Sequence, residues 1–141
     1  MSELNQMTII SSYTTSEAVA DGVLIRIQTN ASKEAGIVYP VYMSSAVWER
    51  YVKVPEGMEA DQDLSGRLWD ILWMFRIAAQ NFSGSLMKFQ FISVFPNRLN
   101  LDSNEEIDEF NYRTVTLKAV ITAQDIDDPS PAIFIMKPDE D

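Results

Sequence analysis

The order of patterns along the chain predicts an α+β fold: an antiparallel sheet of about four strands with two or three helices packed on one face. Residues 66–82, GRLWDILWMFRIAAQNF, place Leu68, Ile71, Leu72, Phe75, Ala78 and Ala79 on one apolar face when wound as a helix. Three later stretches, LMKFQFISVF, YRTVTLKAVITA and PAIFIMKP, carry strand patterns with no helix between them, which implies an antiparallel meander. A chain of 141 residues that is 46% hydrophobic buries a core as a single domain, residues 1–141.

The first element is a short helix in YTTSEAVADG, where Thr14 and Glu17 have capping-box spacing and Gly22 suits a left-handed C-terminal position. VLIRIQ, residues 23–28, follows as a strand at a sheet edge or beside the C-terminal strand. In NASKEAGIVYP, Asn30 caps a single turn, Gly36 closes it and Pro40 forces its predecessor extended. SSAVWERYVKV starts from Ser44 and runs helical to about Lys53, stopping before Pro55. Residues 55–65 read as a polar acidic loop leading to the central helix. After the break at SGS, Met87, Phe89 and Phe91 alternate with Lys88 and Gln90, and Val115, Leu117, Ala119 and Ile121 share one side of the next strand.

The central helix poses a problem, because Trp69, Trp73, Met74 and Ile77 lie outside its apolar face, among Arg67, Asp70, Arg76 and Gln80. Either neighbouring helices bury them, since tryptophan is usually buried over most of its area, or the patch is a subunit interface of a homodimer. Tryptophan and arginine at spacings of three and four also suit stacking on a base. Trp69, Trp73 and Arg76 then line a nucleotide pocket, with Arg67 or Lys118 facing the phosphates.

Cysteine and histidine are both absent. Disulfides, thiolate nucleophiles, thiolate metal sites and the commonest general base and nitrogen ligand go with them. No Gly-rich phosphate loop is present, and the five glycines stand singly. The carboxylate pairs Asp61/Asp63 and Asp125/Asp127/Asp128 lack the spacing of a calcium loop. We therefore expect no enzyme, no cofactor and no metal. The segment MSELNQMTII has no basic region followed by an apolar run, and no later segment is long enough to span a membrane; the expected location is the cytoplasm.

The net charge of −10 is unevenly placed: residues 1–100 carry 10 acids against 8 bases, and residues 101–141 carry 11 against 3. Such a field repels nucleic acid and attracts basic protein surfaces. LDSNEEIDEFN concentrates Asp102, Glu105, Glu106, Asp108 and Glu109 between two strands. As a solvated loop it keeps the chain soluble; as a display of anions it occupies a basic groove made for DNA or RNA.

The stretches SSYTTSEAVADGVLI, EAG with YPV, AVWE, GRLWDILWM, TLKAVI and IFIMKPDED together resemble a family of small uncharacterised proteins of bacteriophages and conjugative plasmids, over nearly the whole chain. The resemblance implies a bacterial cytoplasm and a mobile element. The chain departs from that pattern in its long acidic loop before YRTVTLK, where a shorter and often basic one is expected. Accessory proteins of such elements often blunt host defences. The leading expectation is thus an anti-defence protein that masks the basic nucleic-acid-binding surface of a host effector through the five carboxylates. The alternative is a sponge for a small nucleotide signal.

Overall fold

The computed structural model describes residues 13–96 and 100–140. Residues 1–12, read above for a leader, and Asp141 of the acidic tail lie outside the described residues. Helix α1 spans Thr15–Ala20: the Thr14 hydroxyl accepts the Glu17 N–H at 3.0 Å, and Gly22, at φ +78°, ends the turn. Strand β1 (Leu24–Arg26) leads to α2 (Thr29–Glu34), which begins from Gln28 rather than from Asn30 and is closed by Gly36 at φ +83°. Gly36 lets the chain pass against the Arg76 side chain of the central helix, where a Cβ would collide.

Strand β2 (Val41–Ser44) was hidden in the sequence: all four residues are buried, so no alternation marks it. Its last residue, Ser44, caps α3 (Ser45–Val47). The helix then widens into a π turn, Trp48–Val52, closed when the Lys53 N–H reaches the Trp48 carbonyl at 2.9 Å. The central helix α4 is Leu64–Ala79, started two residues earlier than its apolar pattern suggests because the Asp63 carboxylate accepts the Gly66 N–H at 2.6 Å. Strands β3 (Leu86–Val94), β4 (Glu105–Ile107), β5 (Tyr112–Asp125) and β6 (Asp128–Met136) complete the described chain.

The class is α+β, and the antiparallel β3–β5–β6 run forms as predicted, but the sheet has six strands among the described residues rather than about four. Its order is β1–β2–β6–β5–β3, with β2 and β6 parallel. Strand β4 pairs with the first residues of β5, in line with β6 along the same side of that long strand. Residues 41, 43, 133, 135, 115, 117 and 119 point to one face and form the main core with Ile71, Leu72 and Phe75 of α4. Helix α1 is on the opposite face, where Val19 joins Tyr42, Phe134 and Val120. The helices therefore do not all share one face, because the β5–β6 hairpin supplies α1 with its own N-terminal anchor. Asp125 accepts the N–H groups of Thr15 and Ser16, each at 3.0 Å.

No described helix covers the outer side of α4. Trp69, Trp73, Met74 and Ile77 are 37–42% exposed, and the indoles stack on each other at 5.4 Å, with the Arg76 guanidinium 5.3 Å above Trp73. The expectation that neighbouring helices bury them is corrected: the turn after α2 reaches only Arg76, at Gly36, and about four-tenths of each of these four residues stays exposed in the described structure. Introducing Trp73→Glu with Ile77→Glu therefore leaves a cooperatively folding chain, at a cost of about 1–2 kcal/mol from the lost ring stacking. Urea denaturation reads this directly; a chain that no longer folds would show that the stripe is core.

Candidate functional site

The strongest concentration of charge lies where β4, the start of β5, the π turn and the start of α4 meet. Strand alternation explains how it is assembled. Glu105 sits opposite Val115 and faces the core, while Glu106 sits opposite Thr114 and faces out. Arg113 shares the inward side of β5 with Val115 and Leu117, and the wide turn at 48–52 carries Arg50 and Tyr51 to the same place.

The Glu105 side chain is fully buried and its acceptor sites are occupied. Arg50 donates through Nη2 to Oε1 at 2.8 Å and through Nε to Oε2; Arg113 Nη1 donates to Oε1 at 2.9 Å; the Tyr51 hydroxyl donates to Oε2; and the Asp102 N–H reaches Oε1 at 3.1 Å. Burial alone pushes this carboxyl up, but the bonds from Arg50, Tyr51 and the Asp102 N–H outweigh it and hold it at about 2. Burial, then donation to Glu105, pushes the Tyr51 hydroxyl up, and Glu105 likewise raises the Arg50 guanidinium. Asn104 finishes the network, donating to the Tyr51 hydroxyl and to the Thr116 carbonyl, each at 3.0 Å.

Behind this carboxylate, three guanidiniums surround the buried Phe95 ring: Arg113 at 4.8 Å, and Arg50 and Arg67 at 5.4 Å from its centroid. Arg67, expected on the polar side of the central helix, is buried instead. It donates to Gln62 Oε1 at 2.6 Å and to the carbonyls of Val94 and Arg50. Burial lowers its affinity for the proton, with Asp70 acting in the opposite sense.

The five carboxylates expected to form one partner-binding array are thus divided. Glu105 is inside the protein, and Asp102 is paired with Arg50 at 3.2 Å and Lys137 at 3.0 Å. Glu106, Asp108 and Glu109 remain exposed. Asp108 shapes the β4–β5 turn by accepting the N–H groups of Phe110 and Tyr112, each at 2.9 Å, and this turn carries Asn111 at φ +68° with Phe110 outermost. A second acidic group, Glu59, Asp61, Asp63 and Asp70, borders a groove of about 750 Å³ beside residues 91–94 of β3. Val94 pairs with Tyr112, so both groups stand at the same end of the sheet.

The expected nucleotide-pocket set is brought together in part: Trp69, Trp73 and Arg76 stack in one stripe on α4, without a cavity around all three among the described residues. Arg67 and Trp69 line the groove, but Arg76 lies over Trp73 on the outer side of α4, and Lys118 is on the opposite face of the sheet, donating to the Glu140 carbonyl. Nor do the aspartates at 125–128 form an open cluster: Asp125 caps α1, and Asp128 accepts from Ser130 and Gln124. Among the described residues no group of three or more carboxylates is arranged to hold a metal ion, and no helix is long and apolar enough to cross a membrane. Arg50 and Arg113 belong to no motif in the sequence. The phase of Arg113 with Val115, Leu117 and Ala119 was the available sign of a buried cation.

A small α+β fold with a buried ion-paired centre and an acidic exterior at one end is the class of protein that this geometry defines. The chain belongs to the family of unknown function DUF6573, which it matches over residues 1–141. No curated protein and no solved structure matches it.

Proposed function

We propose that the protein is a non-catalytic binding module that masks the basic, nucleic-acid-binding surface of a partner protein. In the setting suggested by its sequence resemblance, it belongs to a phage or conjugative plasmid and the partner is a defence effector of the bacterial host. One observation carries the reading: Glu106, Asp108 and Glu109 project from a short hairpin whose base is fixed by the Glu105 ion cluster. Anions held on a fixed frame lose little freedom on binding and can match the spacing of cations on a partner. The net charge of −10 steers basic surfaces toward them. A captured nucleotide is less favoured, since Glu59, Asp61, Asp63 and Asp70 ring the groove and Arg67 is already engaged by Gln62.

Capture from a bacterial lysate, with Glu106→Gln, Asp108→Asn and Glu109→Gln combined, tests this. Asparagine at 108 keeps the turn bonds. The triple variant retains wild-type thermal stability, binds its partner at least about tenfold more weakly, and loses much of the salt dependence. Equal binding by the triple variant counts against an acidic docking surface.

A further inference from the structure

The groove at the acidic end runs along a strand edge that has no neighbour among the described residues. Strand β3 pairs with β5 on one side only. The Ile121 N–H donates to the Ser85 carbonyl, and the unbroken register that follows turns the backbone groups of Met87, Phe89, Phe91 and Ser93 toward β5. Those of Gln90, Ile92 and Val94 point outward. The Val94 carbonyl is closed by Gln62 and Arg67. Gln90 and Ile92 have no strand beside them among the described residues, and Ile92 is 63% exposed. Sheet edges are ordinarily blunted by charge, proline or a bulge; β3 has one edge charge, Lys88, and beyond it residues 89–94 carry no charge, no proline and no break in register.

The surroundings specify an occupant. Trp69 and Met58 border the groove with apolar surface, over the buried Phe91 and Tyr51. Its exposed charges are all negative: Glu59, Asp61, Asp63 and Asp70, against a single buried Arg67 whose donors already serve Gln62, Val94 and Arg50. A second copy pairing edge to edge about a twofold axis would turn these carboxylates toward their own counterparts. A cationic chain finds complementary charge there.

We infer that this groove receives an extended basic segment of a partner protein, which adds to β3 as a further strand. Its main chain bonds to Gln90 and Ile92, alternate apolar side chains enter beside Trp69 and Met58, and cationic ones meet Asp61, Asp63 and Asp70. This rests on the reading of the acidic end as a surface for basic partners and adds to it the conformation of what binds.

The test uses the whole chain and a capped octapeptide of alternating arginine and valine. Titration, followed by amide shifts in nuclear magnetic resonance, moves the Gln90 and Ile92 signals. Methylating alternate peptide nitrogens, which keeps the charge but removes the strand donors, weakens binding at least about tenfold. Ile92→Pro does the same without unfolding the chain, because that N–H points out of the sheet and proline is tolerated at such a position; circular dichroism verifies the fold. Asp61→Asn with Asp63→Asn and Asp70→Asn weakens binding by a similar factor and flattens its salt dependence.

Unmoved edge signals, or equal binding of the methylated peptide, overturn strand addition. If that happens while the aspartate variant still loses affinity, the acidic surface stands without it. A glutamate-for-arginine peptide that binds equally well counts against the acidic reading itself. A wild-type chain that sediments as a dimer, and as a monomer with Ile92→Pro, would assign the edge to a second copy and overturn the proposal.

Discussion

Glu105→Gln lowers the unfolding free energy by about 3–5 kcal/mol, whereas Glu106→Gln, one residue further along the same strand, changes it by no more than about 0.5 kcal/mol. The difference follows from strand alternation. Glu105 is fully buried and is the carboxylate partner of Arg113, whose side chain is 2% exposed, while Glu106 is in water. Glutamine can accept bonds but brings no charge, so two guanidiniums and a tyrosine hydroxyl are left in the interior without the anion that balances them. Since domains of this size are stable by about 5–15 kcal/mol, such a loss brings the variant near the edge of folding. Urea midpoints of the two single variants give the comparison. Adding Arg113→Met to Glu105→Gln recovers part of the loss, because the unpaired cation goes with it.

Acid destabilises the fold through the same group. With its carboxyl held at about 2 in the fold against an ordinary value of 4.5, Glu105 binds its proton less readily in the native state than in the unfolded one. Its contribution is therefore complete above pH 4.5 and is lost as the pH falls toward 2, a difference of about 3 kcal/mol. Asp125, held low by the Ile126 N–H and its bonds to Ser16 and Thr15, and Asp128, held low by Ser130, act in the same direction. Unfolding free energies measured between pH 6 and pH 2 should decline steeply for the wild type and much less for Glu105→Gln. Parallel curves for the two would mean that the buried carboxylate is not the group that titrates.

What the sequence revealed, and what it concealed, depends on how local the cause was. The apolar faces of α4, β3 and β5 arise from the periods of their own residues, and the fold class follows from them. Strand β2 is buried on all sides and only four residues long, so no period betrays it. In the sequence, strand β4 is indistinguishable from a charged loop, because an inward-facing glutamate resembles a solvated one until its cations are placed. Those cations come from Arg50, on a turn that widens from α to π geometry, and from Arg113, across the ladder. Both are tertiary facts. Arg67 was nearer to being legible: it stands four residues before Ile71 and eight before Phe75, on the buried side of α4. For the acidic loop, composition gave the charge and the pleat decided which carboxylates face outward.

Competition between the captured partner and nucleic acid tests the proposed masking most directly. With the partner bound to the wild-type chain at moderate salt, increasing amounts of the DNA or RNA that the partner recognises should displace the protein in proportion, and the protein should in turn release nucleic acid from the partner. A stable ternary complex, with nucleic acid and this protein held together on the same partner, would contradict it.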